Sequence, residues 1–138
     1  LYTDSALSTL ATAADDGSGT NSFVLQARVM NVVDYRNIIL DVDTANSAAM
    51  TIKVVGSSIQ SCPNFSAAQS ASNVYKYILI KDIESGTAVE GDTGIVLAGT
   101  DINKQYEVNV NGLSWITVVF SGVTAGNAQI IATAYDNN

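Results

Sequence analysis

At 138 residues, 47% hydrophobic and 14% charged, the chain has the size of one domain with a core that needs neither disulfides nor a metal. Thirteen Asp plus Glu against six Lys plus Arg give a net charge of −7, and six dispersed cations do not build the positive stripe that a phosphate backbone demands. The sequence has no histidine and a single cysteine, Cys62. That excludes the Ser-His-Asp triad, the Cys-His dyad, HExxH zinc chemistry, an internal disulfide and the Cys-cluster metal motifs.

No apolar run approaches the roughly 18–20 residues that span a bilayer as a helix; the run around Ile78-Leu79-Ile80 is cut by Lys76 and Lys81. Leu1 in place of Met points to a processed or truncated start, and residues 1–10 lack the basic start and apolar heart of a signal peptide. The expectation is a soluble, acidic, cofactor-free single domain, with neither nucleic acid nor membrane as a partner.

Residues 1–22 are small and polar and end in Asp15-Asp16-Gly17-Ser18-Gly19 and its neighbours. They predict an extended N-terminal arm with at most one short helical turn near Leu7 and Leu10, either a free tail or a segment that orders on a neighbouring subunit. From Phe23 the pattern turns to short β-rich segments, and 23–138 read as one domain. Phe23 to Val32 alternates with period 2, placing Phe23, Leu25, Ala27 and Val29 on one face. Arg36–Asp43 and Ala49–Val55 read as two strands joined by Thr44-Ala45-Asn46-Ser47. Gly56 to Asn73, with the single proline Pro63, is long enough for a crossing between two sheets. Val74–Ile83, Thr93–Ala98, Gln105–Val110, Trp115–Ser121 and Gln129–Tyr135 complete the strands. Asn111-Gly112 predicts a type I′ hairpin turn, which needs φ > 0 at both central residues. Seven or eight short strands at spacings of about 8–15 residues predict an all-β fold: an antiparallel β-sandwich of jelly-roll type with an extended N-terminal arm.

Several residues have chemistry to offer, each beside a plainer reading. Asp41 and Asp43 fall on one strand face, where like charges face water or share a Ca²⁺. Asp15-Asp16-Gly17-Ser18-Gly19 has half of a calcium loop but lacks the D-x-D-x-D-G spacing and the distal glutamate. Gly86, Gly91, Gly94 and Gly99 crowd Ser85–Asp101 without a GK[ST], so turns explain them, with Asp92 and Asp101 as turn caps. Glu84, Glu90 and Glu107 could pair with an Asp for glycoside cleavage, but nothing in their spacing marks a cleft. Cys62 has no basic neighbour in sequence to activate it. Asn64-Phe65-Ser66 matches a glycosylation sequon, a triplet that chance often supplies. Tyr35, Tyr75, Tyr77, Tyr106, Trp115 and Tyr135 could form a sugar-stacking platform or pack the core. Around Trp115 both strand faces are apolar, as in a strand that also supports an interface. No residue is assigned a catalytic, cofactor-binding or metal-binding role, and no cofactor is expected.

From Asp34 to Asp101 the wording resembles small virion proteins of tailed bacteriophages. The residues that carry it are Asp34-Tyr35-Arg36-Asn37-Ile38-Ile39-Leu40, Met50-Thr51-Ile52-Lys53-Val54-Val55-Gly56-Ser57, Pro63 to Ser70, and Val74-Tyr75-Lys76-Tyr77-Ile78. Gly91-Asp92-Thr93-Gly94-Ile95 followed by Gly99-Thr100-Asp101 is the most distinctive run, and Tyr106–Asn109 with Gly112–Ile116 extends the resemblance. It implies a non-enzymatic structural protein of the virion, a β-sandwich decorating or cementing the outer surface of a phage capsid. The implied partners are the major capsid protein or other virion proteins and further copies of the chain, a trimer being favoured. A phage tail or fibre component, a secreted carbohydrate-binding module and a surface-filament subunit are the alternatives.

Overall fold

The computed structural model describes residues 6–15 and 22–136. Among the described residues there are ten strands and no helix: β1 (Ala6–Asp15), β2 (Ser22–Ala27), β3 (Met30–Asn31), β4 (Asn37–Ser57), β5 (Lys76–Tyr77), β6 (Ile80–Asp82), β7 (Ala88–Val89), β8 (Ile95–Ala98), β9 (Asn103–Asn109) and β10 (Trp115–Tyr135). Every pairing between them is antiparallel. The chain is therefore all-β, as expected. Its strands form one hydrogen-bonded sheet in the order β2-β1-β10-β4-β9-β6-β7, with β3 added to β10 and β5 and β8 added to β4.

The centre of the sheet is the β4–β10 ladder, which runs in register from Asn37↔Tyr135 to Asp43↔Gln129 and again from Thr51↔Ser121 to Ser57↔Trp115. Between those stretches the register slips, at Ser121/Ala125 and Ala125/Asn127. Here Asn46 and Ser47 take φ of 62° and 57°, and Gly126 takes 74°. Left-handed residues turn a strand sharply, and Asn and Gly are the types that tolerate them. Both central strands thus bend at one place. The sequence reads each as two strands because the polar runs Thr44–Ser47 and Ser121–Asn127 interrupt the apolar alternation; the structure keeps each as one bent strand.

Alternation survives the bend. Ile38, Leu40 and Val42 before it and Met50, Ile52 and Val54 after it are all buried, and they share one core cluster with Leu10, Val108, Ile116, Val118 and Ile130. Each such side chain contributes roughly 1.5–3 kcal/mol by leaving water. Residues from both sides of the bend therefore share one interior. The all-β antiparallel expectation holds, built as one continuous sheet, and the jelly-roll sandwich is the part of it that the strand pairing does not show.

Several local expectations change. The helical turn near Leu7 and Leu10 is strand: β1 pairs with β10 on one side and β2 on the other, so residues 6–15 lie inside the chain's own sheet. The strand expected over Phe23–Val32 is split into β2 and β3, and the face of Phe23, Leu25 and Ala27 lies outside the described side chains. The long connection after Gly56 makes no crossing. It returns to the end of β4 that it left, pairing Val55↔Tyr77. The crossing comes next, where two residues carry the chain from β5 beside β4 to β6 beside β9. Asn111-Gly112 is not a type I′ hairpin: Gly112 alone has positive φ, 87°, Leu113 N–H donates to the Val110 carbonyl at 2.9 Å, and β9 and β10 are separated by β4. Glycine at the third position with positive φ is the mark of a type II turn.

Candidate functional site

The chemistry collects at the bend and in the sheet half that holds β9 and β6, where Asp82 is buried at an inner position and Asp41 and Asp43 face outward. At the bend, Asp101 clasps β4: its carboxylate accepts the Ala48 N–H at 2.9 Å, the Ser47 N–H at 3.0 Å and the Thr44 hydroxyl at 3.4 Å. The Thr44 hydroxyl oxygen in turn accepts the Ile102 N–H at 2.8 Å. Donation from the Ala48 and Ser47 amides holds the Asp101 carboxyl below its ordinary value. Asp101 is therefore a cap, as expected, but of a bend more than fifty residues away in sequence. Against this corner lies a cleft of about 370 Å³ lined by Thr12, Asp43, Thr44, Asn127 and Gln129 among others.

Asp82 is the second organised carboxylate. It accepts the Lys104 ammonium at 2.9 Å and caps its own turn through the Glu84 and Ser85 N–H groups at 2.9 and 3.2 Å. The lysine hydrogen bond first, then the Ser85 amide, holds its carboxyl low, and Asp82 holds Lys104 above its ordinary value. Sequence reading missed this residue, although Asp82-Ile83-Glu84-Ser85-Gly86 carries the Asx-turn signal. Both displaced carboxyls move down, opposite to the direction a general acid requires.

The other sequence candidates are scattered. Asp41 accepts the Gln105 side-chain amide at 2.8 Å, and Asp43 lies on the same face with Asn103 and Gln129 as its cross-strand neighbours. No group of three or more metal-ligating side chains occurs among the described residues. Residues 16–19 of the half calcium loop lie outside the described residues. Gly86, Gly94 and Gly99 have positive φ, as turns require, whereas Gly91 lies against the Tyr77–Ile78 backbone. Asp92 is exposed, and so are Glu84 and Glu90. Glu107 sits opposite Lys81 on β6 and accepts the Tyr135 hydroxyl at 3.4 Å; burial leads in raising the Tyr135 phenol. Cys62 is free and exposed. Asn64 of the sequon is exposed, and its side-chain oxygen accepts the Ser66 N–H at 3.0 Å.

The aromatic residues form no common platform. Tyr106 is buried in the core. Tyr75 is buried under the loop, its hydroxyl donating to the Ala67 carbonyl at 2.7 Å and its ring 5.3 Å from that of Phe65. Tyr35 is half-buried and packs on the core cluster. Trp115 donates its indole N–H to the Gln60 carbonyl at 3.2 Å, tying the loop to β10. Tyr77 is turned outward under the Lys53 ammonium, 4.9 Å from its ring centre.

No family model and no curated protein matches the chain. Among solved structures it is similar to the SPBc2 prophage-derived protein YomS, with a TM-score of 0.63 at 11% identity over 96% of this chain and 94% of that one. It is also aligned with the K1 cleaved adhesin domain of Lys-gingipain from Porphyromonas gingivalis W83, with a TM-score of 0.43 at 13% identity over 99% of this chain and 100% of that one. At that score the second supports no inference. The first shows a shared fold along nearly the whole chain.

Proposed function

We propose that this chain is a non-enzymatic structural protein of a phage virion, decorating or cementing the outer surface of the capsid by binding the major capsid protein. The observation that carries the reading is the fold shared with a prophage-derived protein over 96% of the chain. The sequence resemblance between Asp34 and Asp101 points the same way. The physical character agrees: a rigid sheet whose organised carboxylates, Asp82 and Asp101, bind the chain's own backbone and lysine is built for packing. A net charge of −7 suits a surface turned away from packaged DNA. The dispersal of the tyrosines and Trp115 weighs against the sugar-binding alternative.

The test is a density gradient of intact particles. Co-migration in hundreds of copies per particle supports decoration, and a few copies per particle moves the chain to the tail or fibre. Protein left at the top of the gradient overturns the virion reading.

A further inference from the structure

The segment from β5 through β6 is apolar on both sides. Ile78 packs on the core and Ile80 is buried within it, as the inner positions of an alternating strand should be. The outer positions, Tyr77, Leu79, Lys81 and Ile83, all face solvent, and the three apolar ones are 43%, 54% and 43% exposed. These are half of the large exposed hydrophobic residues among those described. They lie within seven residues of one another, along the stretch where the chain passes from β4 to β9. Scattered exposed apolar side chains need no explanation; several gathered in one short stretch mark a contact surface.

The charges around it have a pattern. Of the six basic residues, Arg36 and Lys104 are committed to Asp136 and Asp82. Lys53, Lys76 and Lys81 border the stripe: Lys53 lies over the Tyr77 ring, Lys76 precedes that tyrosine, and Lys81 interrupts the apolar positions with Glu107 across from it on β9; Glu84 follows Ile83 at the far end. The complementary surface is on the same chain. Asp41 and Asp43 point outward from β4, and their cross-strand neighbours on β9 and β10 are Gln105, Asn103, Ile131 and Gln129, none of them basic. No basic residue thus stands directly across from either of these two like charges, and the lysine that lines a cleft with Asp41, Lys104, is held by Asp82.

We infer that the Tyr77–Leu79–Ile83 stripe, with Lys53, Lys76 and Lys81 around it, is the docking surface for a second copy of this chain, which meets it with the face carrying Asp41 and Asp43. The apolar side chains anchor the contact and the lysine–aspartate pairs set its register. This deepens the decoration reading and rests on it for its setting on a capsid, since shell proteins act through repeated symmetric contacts.

The experiment is a charge exchange read by light scattering on the purified full chain. The wild type is expected to show a mass at least twice that of one chain. A Lys53→Glu/Lys81→Glu variant and an Asp41→Lys/Asp43→Lys variant should each be monomeric. Mixed in equal amounts they should associate again, because each then offers the sign the other needs. Recovery on mixing shows that both variants are folded. A monomeric wild type, variants that keep the wild-type mass, or a mixture that stays monomeric would overturn the inference. If the wild type is monomeric yet co-migrates with particles and Leu79→Asp releases it, the stripe belongs to a capsid protein: this inference fails and the virion reading stands. If the wild type associates as described but never co-migrates, the reverse holds.

Discussion

Replacing Gly126 by alanine tests whether the bend in the β4–β10 ladder organises the fold. A Cβ built there would stand 2.6 Å from the Ala45 carbonyl oxygen, 2.6 Å from the Ala48 Cα and 2.8 Å from the Ala48 nitrogen. All three are backbone atoms of the opposing strand and cannot swing aside. The residue also holds φ at 74°, which costs a side-chain-bearing residue roughly 1–2 kcal/mol. Overlap in a packed region adds about 1–3 kcal/mol, so Gly126→Ala should lose about 2–5 kcal/mol. Gly112→Ala is the control. It has φ of 87° and nothing within 4 Å of the added atom, so it should lose only the conformational part, about 1–2 kcal/mol. At about 4 °C per kcal/mol the expected falls in Tm are about 8–20 °C and about 4–8 °C. Urea unfolding of both variants, with m unchanged, measures the difference directly. Equal losses at the two positions would show that the close approach at the corner carries no energy, and the bend would lose its place in the argument.

Other perturbations probe other parts. Leu40→Ala, at a side chain 1% exposed in the shared core, should cost about 2–5 kcal/mol in urea unfolding; a smaller loss would show that Leu40 is not tightly packed in that core. Tyr75→Phe keeps the ring beside Phe65 but removes the hydrogen bond to Ala67. It should cost about 0.5–1.5 kcal/mol, with faster amide exchange confined to the loop between β4 and β5. Asp82 and Asp101 are both held below 3.8, so the stability they add is present above that value and is lost as pH falls through their folded values. Asp101→Asn should therefore flatten the acid limb of a stability–pH curve while leaving the limb above pH 10 alone. Lys104, raised above 10.5, contributes below that value and loses its contribution as pH climbs through its own folded value.

The class of the fold was legible because period-2 alternation reports burial on one sheet face. Ile38-Leu40-Val42 and Met50-Ile52-Val54 show it in the sequence and occupy those core positions in the structure. Topology was not legible, because it depends on pairings between residues far apart in sequence. Asn111-Gly112 carries the strongest local hairpin signal, yet the strands it joins lie on either side of β4. The bend was hidden for a related reason. Asn46 and Ser47 look like a loop, and only Asp101, far along the chain, makes their backbone part of a continuous strand. Of the candidate site residues, Asp41 and Asp43 were correctly placed on one strand face. Without their cross-strand neighbours nothing in the sequence distinguished a hydrated pair from a charged docking face. The apolar residues of Val74–Ile83 fall on both parities, a signal weighed only around Trp115, where both faces were also apolar.

Those two observations belong together physically. The segment from β5 through β6 has Ile78 and Ile80 committed to the core, so apolar residues at its outer positions lower solubility unless something covers them. In a chain of net charge −7, general repulsion opposes self-association, and any contact between copies must set its few cations against a local concentration of acid. Lys53, Lys76 and Lys81 lie beside the exposed stripe, and Asp41 and Asp43 are held outward where β4 approaches its bend. The Asp101 clasp fixes that bend, so it also fixes where the acidic pair is presented. Weakening the clasp should thus reduce association between copies before it unfolds the chain, and loss of the Asp82–Lys104 pair should act on the same cleft from its other side, where Ile83 lies across Gln105 from Asp41.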